Sequence, residues 1–275
     1  MMDSFSYQGV SNQVAAGYLE RHGNATWHQI TDALARQPPC PRLQSYWTYD
    51  NCRYDKTGHH CTEPEHIGTC AVPLHRLRNG RLNQTAYSLY LFVRDVAHLD
   101  LAGWIQGRLA GIAPQKDGRG QRLQDALVGP MRHIFGVSDK VLTMTLSELL
   151  MAAPQARPVW FEAGSQMIAI DTLVHNFLHR TGILDDFGVS HAYGRGCYHK
   201  GCCAEIMRRV SERIDASRFN KTFPSNFPRF IQHAVWHYCA AEGENVCNGN
   251  MIDDRESCKR LYCILFTECS KKALE

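Results

Sequence analysis

No stretch of this sequence approaches the roughly 20 consecutive apolar residues that a membrane-spanning helix requires. The opening residues, Met1 to Val10, have neither the basic start nor the apolar run of a secretory leader. Alternating apolar and polar residues never persist long enough to announce a sheet, and no segment recurs at a fixed period, which excludes sandwiches and solenoids. Charge of one sign is in little excess, +3 over the chain, so charge neither demands nor excludes a nucleic-acid partner. The absences together predict a cytoplasmic monomer without a membrane partner, nucleoid-associated if the source is bacterial. What the chain does hold is sulfur: 12 cysteines, with 14 histidines, in 275 residues. In a reducing compartment, closely spaced cysteines are more often metal ligands than disulfides.

Helical periodicity dominates the rest. Apolar residues at helical spacing predict helices over 14–21, 28–36, 82–96, 99–112, 121–135, 138–152, 167–181, 203–214 and 227–241. The Gln37-Pro38-Pro39-Cys40-Pro41 run ends the second of these, because proline breaks a helix and restricts its predecessor. From Cys40 to Gly80 the sequence is loop-like. The fold class expected is all-α, with residues 1–78 as a partly helical, Cys- and His-rich N-terminal extension. Residues 79–275 form the main helical module, ending in a cysteine-rich loop over about 243–275.

Two segments carry candidate chemistry. In Phe135-Gly136-Val137-Ser138-Asp139-Lys140, Gly136 can take the positive φ that ends one helix, and Ser138 is a good N-cap for the next. Backbone N–H groups at such a turn can hold a DNA phosphate. The turn is equally compatible with a plain connection in a helical bundle. Near the C-terminus, Cys247, Cys258, Cys263 and Cys269 are four thiols in a short loop-rich tail, the ligand set of a [4Fe–4S] cluster, with four-thiolate zinc as the alternative.

These segments together resemble the helix-hairpin-helix DNA glycosylases of the endonuclease III superfamily. The family hairpin, Leu-Pro-Gly-Val-Gly-x-Lys, aligns in register with Phe135 to Lys140, and its Ala-Val-Asp-Thr-His segment aligns with Ala169-Ile170-Asp171-Thr172-Leu173. Cys263 and Cys269 match the spacing that closes the family's cluster loop. The resemblance implies a two-lobed helical glycosylase fold, with Lys140 as nucleophile and Asp171 as catalytic carboxylate. It further implies DNA contacts at Gly136, Ser138 and Arg180, and Gln84 meeting the extrahelical base or opposing strand. Ser138 replaces the second hairpin glycine, and Leu173 stands where the family has histidine. The interval from Lys140 to Asp171 exceeds the family's and places an insertion over 154–165.

The expected function is removal of a damaged or mismatched base flipped out of duplex DNA, with Schiff-base cleavage of the abasic strand. Lys140 lies in a first helical turn, whose positive dipole end disfavours the ammonium form and so favours attack. A carboxylate aimed at the sugar stabilises its developing positive charge. The competing classes are an iron–sulfur DNA-binding module without chemistry, and a metal-dependent nuclease using Asp171, His175 and His179, which share one helix face. Cys52, Cys61 and Cys70, with His59, His60 and His75 nearby, read as cysteines packed in an irregular segment, a second metal site being the alternative. Cys197, Cys202 and Cys203 receive no role.

Overall fold

The computed structural model describes residues 1–36, 40–115, 118–153 and 155–274, and the described residues divide into two compact units, Met1–Thr145 and Leu146–Glu275. The expected proline-rich stop at 37–39 and Pro154 lie outside the described residues. As expected, the fold is all-α. The first unit contains α1 (Met2–Ser6), α2 (Asn12–His22), α3 (Trp27–Ala35), α4 (Tyr46–Tyr49), α5 (Asn83–Asp95), α6 (Leu101–Ala110) and α7 (Arg119–Met131). The division falls within α8 (Asp139–Met151). The second unit continues with α9 (Pro158–Gln166), α10 (Thr172–Thr181), α11 (Ile183–Asp186), α12 (Cys203–Ser211) and α13 (Pro228–Cys239). Among the described residues the one sheet is a ribbon of β1 (Tyr54–Asp55) and β2 (His60–Cys61), antiparallel with Tyr54 opposite Cys61.

The chain does not divide at residue 78, and the reason is α5. Every residue from Asn83 to Val93 is buried, so this helix needs cover on all sides. The preceding segment supplies it: α3, α4 and the 3-10 turn Val72–Leu74 all pack on α5. Residues 1–78 are therefore half of a core rather than an appendage. No helix among the described residues is long and apolar enough to cross a membrane.

Two other expectations change. The helix predicted over 167–181 starts only at Thr172. Met167 to Ile170 lie outside any helix and are at most 2% exposed, so continuous apolarity there reflects burial of a connecting segment, which helical periodicity cannot distinguish over so short a run. Most of the expected insertion is α9, which packs on α13. Ser147 Oγ donates to the Gly164 carbonyl at 2.9 Å, fastening α9 to the end of α8 within the second unit.

The core of the second unit is unusual in its sulfur content. Ile168, Val174, Leu178, Ile206, Met207 and Ile231 pack with Cys197, Cys203, Cys239, Cys247 and Cys258. This core holds two cysteine sites.

Candidate metal centres

The tighter site gathers four residues from four short elements. His175 lies one turn into α10, His191 on the loop after α11, Cys197 in the 3-10 turn Arg195–Tyr198, and Cys203 at the start of α12. Their ligand atoms all lie within 4.8 Å of one another. His175 Nδ1 is 3.4 Å from the Cys203 sulfur and 3.6 Å from the Cys197 sulfur, and His191 Nε2 is 3.3 Å from the Cys203 sulfur. His175, Cys197 and Cys203 are buried, and His191 is partly so.

Two nitrogens and two sulfurs at this separation match a closed tetrahedral site of the structural zinc kind, and this group can hold a metal ion. The surroundings fit. His191 Nδ1 is 2.9 Å from the Ala192 carbonyl, the outer-shell bond that leaves the other ring nitrogen free for a ligand position. Tyr193 packs against His175, ring centroids 5.9 Å apart. The two thiols share a proton: the hydrogen bond from Cys203 holds Cys197 down at about 4, assisted by His175, while the same bond and burial push Cys203 up. A divalent ion held here would take the place of that shared proton and satisfy both sulfurs.

Spacing alone assigns Cys197 and Cys203 no role, because the two do not form a Cys-x2-4-Cys pair. The available signal was the recurrence His191, Cys197, Cys203 at even spacing, upstream of which His175 is separated by the rest of α10, by α11 and by a loop.

The wider site is the C-terminal tail. Cys247, Cys258, Cys263 and Cys269 line one small cavity, closed by Phe177, Arg180, Tyr238 and Leu265. Tail and α10 are laced together: Ser270 N–H donates to the Thr181 carbonyl at 3.1 Å, and Lys272 N–H to the Arg180 carbonyl at 3.0 Å. Gly182, at φ +89°, ends α10 where the tail crosses, and an added Cβ would stand 2.8 Å from the Ser270 Cβ. Sulfur acceptors are already served, with Lys271 N–H 3.2 Å from the Cys269 sulfur and Tyr238 Oη 3.0 Å from the Cys263 sulfur. Cys239, which hydrogen-bonds Cys247, holds the latter's thiol below its ordinary range, and the Arg180 charge acts in the same direction.

Arg180 is not at a DNA phosphate. It is 1% exposed, and its guanidinium donates to Asp254 at 2.6 Å and to the Lys272 carbonyl at 3.2 Å. A side chain this buried is committed to the tail. Gln84, expected to face DNA, is likewise inside α5 at 5% exposure, because α5 is covered on all its faces. The nuclease face does not form either. His175 turns to the cysteines, His179 Nε2 lies 3.1 Å from the Ala273 carbonyl, and Asp171 caps α10. Residues four apart share a side of the helix, but each here faces a different neighbour.

The remaining sequence-predicted residues lie as follows. Gly136 adopts φ +73° and is exposed. The hairpin is pinned to α5 by Thr85 Oγ1, which donates to the Phe135 carbonyl at 2.9 Å, and by Ser88 Oγ, which accepts from Phe135 N–H at 2.9 Å. Ser138 is exposed, its Oγ 3.4 Å from Val141 N–H, and Lys140 is half-buried in the first turn of α8. Asp171 is the N-cap of α10, its Oδ1 accepting from Val174 N–H at 2.9 Å. Its charge reaches Arg229, whose guanidinium burial pushes down in pKa. Glu63, Glu65 and His66 also approach one another, but Arg42 already engages Glu63.

No family model matches the chain, and neither the curated proteins nor the solved structures contain a match.

Proposed function

We propose that this chain is an iron–sulfur DNA glycosylase that removes a damaged or mismatched base from duplex DNA, acting in addition as an abasic-site lyase. One observation carries the reading: α10 holds Asp171 at its N-terminus and, at its other end, Arg180 and Thr181 wall a cavity lined by four cysteines. The helix assigned the carboxylate is thus the helix that the cysteine tail fastens, which links a site residue to a rigid support.

The four cysteines fit a [4Fe–4S] cluster better than one zinc ion. Each thiolate of a cluster binds a different iron, so the sulfurs stand further apart than around a single metal. Among the described residues no three of these cysteines come within single-ion reach, although all four line the same cavity. The buried Arg180 charge and the Lys271 N–H suit an anionic, sulfur-rich group. When bound, the cluster holds together a tail that has little core of its own.

In this reading Lys140 supplies the amine that attacks the sugar carbon, and Asp171 the carboxylate that steadies positive charge on the sugar as the base leaves. The exposed hairpin at Gly136 and Ser138 offers backbone N–H groups to a phosphate. Flipping the nucleotide costs a few kcal/mol and is cheapest at damaged or mismatched pairs, which favours them as substrates.

The test is a panel of duplexes, each with one damaged or mismatched base, incubated with the holoprotein and borohydride. A covalent adduct is expected with the wild type on its lesion and none with Lys140→Ala. Equal trapping by both removes Lys140 as nucleophile, and no base release on any duplex overturns the enzyme.

A further inference from the structure

We propose that His175, His191, Cys197 and Cys203 bind one zinc ion, and that this ion holds Asp171 in place by clamping the first turn of α10 to the loop after α11. The zinc site stands without the glycosylase reading, whereas the part that concerns catalysis rests on that reading.

The distances carry the metal. Zinc–sulfur bonds of about 2.3 Å and zinc–nitrogen bonds of about 2.0–2.1 Å, set at the tetrahedral angle, put nitrogen about 3.5–3.6 Å from sulfur. The nitrogen–sulfur separations in this group are 3.3, 3.4 and 3.6 Å. Protons alone serve it less well. The Cys203 sulfur faces both ring nitrogens, and a thiol has one proton to give. An ion at the centre takes a lone pair from all four atoms. Cys197 and Cys203 are fully buried and His175 nearly so, which suits a closed structural site. Cys202, next to Cys203 in the chain, is not one of the four: its sulfur lies 3.9 Å from the Lys200 carbonyl.

The same loop grips the chain on which Asp171 stands. Tyr198, the neighbour of Cys197, accepts a hydrogen bond at its Oη from Ile170 N–H at 2.9 Å. On the other side of Asp171, His175 N–H donates to the Asp171 carbonyl at 3.0 Å. Asp171 thus sits between two ligand-bearing pieces, the turn of Cys197 before it and the His175 turn after it. An ion that joins His175 to Cys197 closes that clamp, and the carboxylate is fixed between its jaws.

The loop also needs an anchor. Between Gly188 and Cys202 the one regular element is the 3-10 turn Arg195–Tyr198, and Gly188, Gly194, Gly196 and Gly201 make the rest costly to order. Gly201 N–H donates to Glu205 at 2.7 Å and seats the end of the loop on α12. α10 and α12 both pack on α13, and the ion ties the start of one to the start of the other.

The experiment uses the full chain, expressed with zinc and iron in supply, with metals counted per chain by elemental analysis and native mass spectrometry. About one zinc is expected, separate from any metal in the tail. It is expected to be lost in Cys203→Ser and His191→Ala and kept in Cys202→Ser and Cys263→Ser. His191→Cys is expected to restore it, because zinc also accepts a Cys3His set, whereas lost packing at His191 is not repaired by cysteine. No zinc in the wild type, zinc that survives Cys203→Ser, or iron at these residues overturns the site. The positioning of Asp171 is read without activity, by amide exchange in zinc-free His191→Ala. Ile170 and Val174 N–H, bonded to Tyr198 and Asp171, are expected to lose protection there and keep it in His191→Cys. Should His191→Ala not fold, wild type stripped by a zinc-selective chelator and then reloaded takes its place. In single turnover, zinc removal is expected to slow base release by roughly 10- to 100-fold and leave duplex affinity unchanged. Unchanged exchange, or an equal rate with and without zinc, overturns the positioning and leaves the site. No base release from zinc-loaded wild type defeats the glycosylase reading instead, and the metal counts and amide exchange still decide this proposal.

Discussion

The Nδ1 atom of His175 lies 3.4 Å from the sulfur of Cys203, at the centre of a group that also holds His191 and Cys197. Because the hydrogen bond between them pulls the Cys197 thiol well below its ordinary value and pushes Cys203 above its own, loading of zinc at neutral pH is expected to release about one thiol proton per ion. Calorimetry in buffers of different ionisation enthalpy reads that number. Zinc at a thousandfold excess over Kd is expected to stabilise the protein by about 4 kcal/mol, and chelation to remove the gain.

The metal-free protein carries a pH signature of the same pair. Cys197 falls from an ordinary 9.0 to about 4 on folding, so the unfolded chain binds the extra proton between these values. Its stabilisation is complete above pH 9 and is lost as pH falls towards 4. Cys203 is shifted the other way and contributes below its ordinary value, losing that contribution as pH rises. Metal-free stability is therefore expected to rise from acid towards mildly alkaline pH and then decline. Urea melts in chelator at pH 5, 8 and 10 test the shape, and a flat profile rules out the shared proton.

Asp171 holds two positions at once, a helix cap and the proposed catalytic carboxylate, and one pair of substitutions separates them. Asn caps a helix as well as Asp does, whereas Ala forfeits about 1 kcal/mol. Asp171→Asn is expected to melt within about 0.5 kcal/mol of wild type and Asp171→Ala to lose roughly twice that. Both are expected to slow single-turnover base release by about 100-fold or more, because neither carries the charge. Activity retained in Asp171→Asn and lost in Asp171→Ala assigns Asp171 to the cap alone.

Helix positions were legible because α5, α8, α12 and α13 carry apolar residues at helical spacing, and that pattern survives any tertiary arrangement. The tail cysteines stood out because all four fall within a short stretch, and in the structure they line one cavity. The Cys2His2 group was not, since its ligands come from a helix, a loop, a turn and a second helix, and only the fold closes the distance. Arg180 and Gln84 were misplaced for a common reason. A charged or amide side chain in sequence does not declare whether it faces solvent, and here both are spent inside, Arg180 on the tail and Gln84 in the fully covered α5. The boundary at residue 78 failed likewise, because the all-round burial of α5 depends on partners that precede it in the chain.

The burial of Arg180 makes its effect on DNA binding predictable. A residue that neutralises a phosphate adds about one to the slope of log K against log salt. Arg180→Met is expected to leave that slope unchanged. The same variant is expected to lower the tail's iron content and to speed proteolysis after residue 242, since it removes the bonds to Asp254 and the Lys272 carbonyl. A slope reduced by about one with iron content intact returns Arg180 to the DNA interface.

Gly136 tests the hairpin by backbone geometry alone. At φ +73°, an alanine meets the left-handed penalty of about 1–2 kcal/mol, and its Cβ would lie 3.3 Å from Thr85 Oγ1, the atom that holds the Phe135 carbonyl. Thr85 has little room to give, because the same hydroxyl is hydrogen-bonded in the turn. Gly136→Ala is therefore expected to lower stability by about 1–2 kcal/mol and to weaken duplex binding, because the turn must shift the N–H groups it offers to phosphate. Gly136→Asn tolerates the left-handed region better and is expected to recover part of the conformational cost while keeping the Thr85 contact. Denaturant melts and binding isotherms on both variants separate the two effects. If Gly136→Ala binds duplex as the wild type does while losing stability, the turn serves the fold of the first unit and the phosphate contact lies elsewhere.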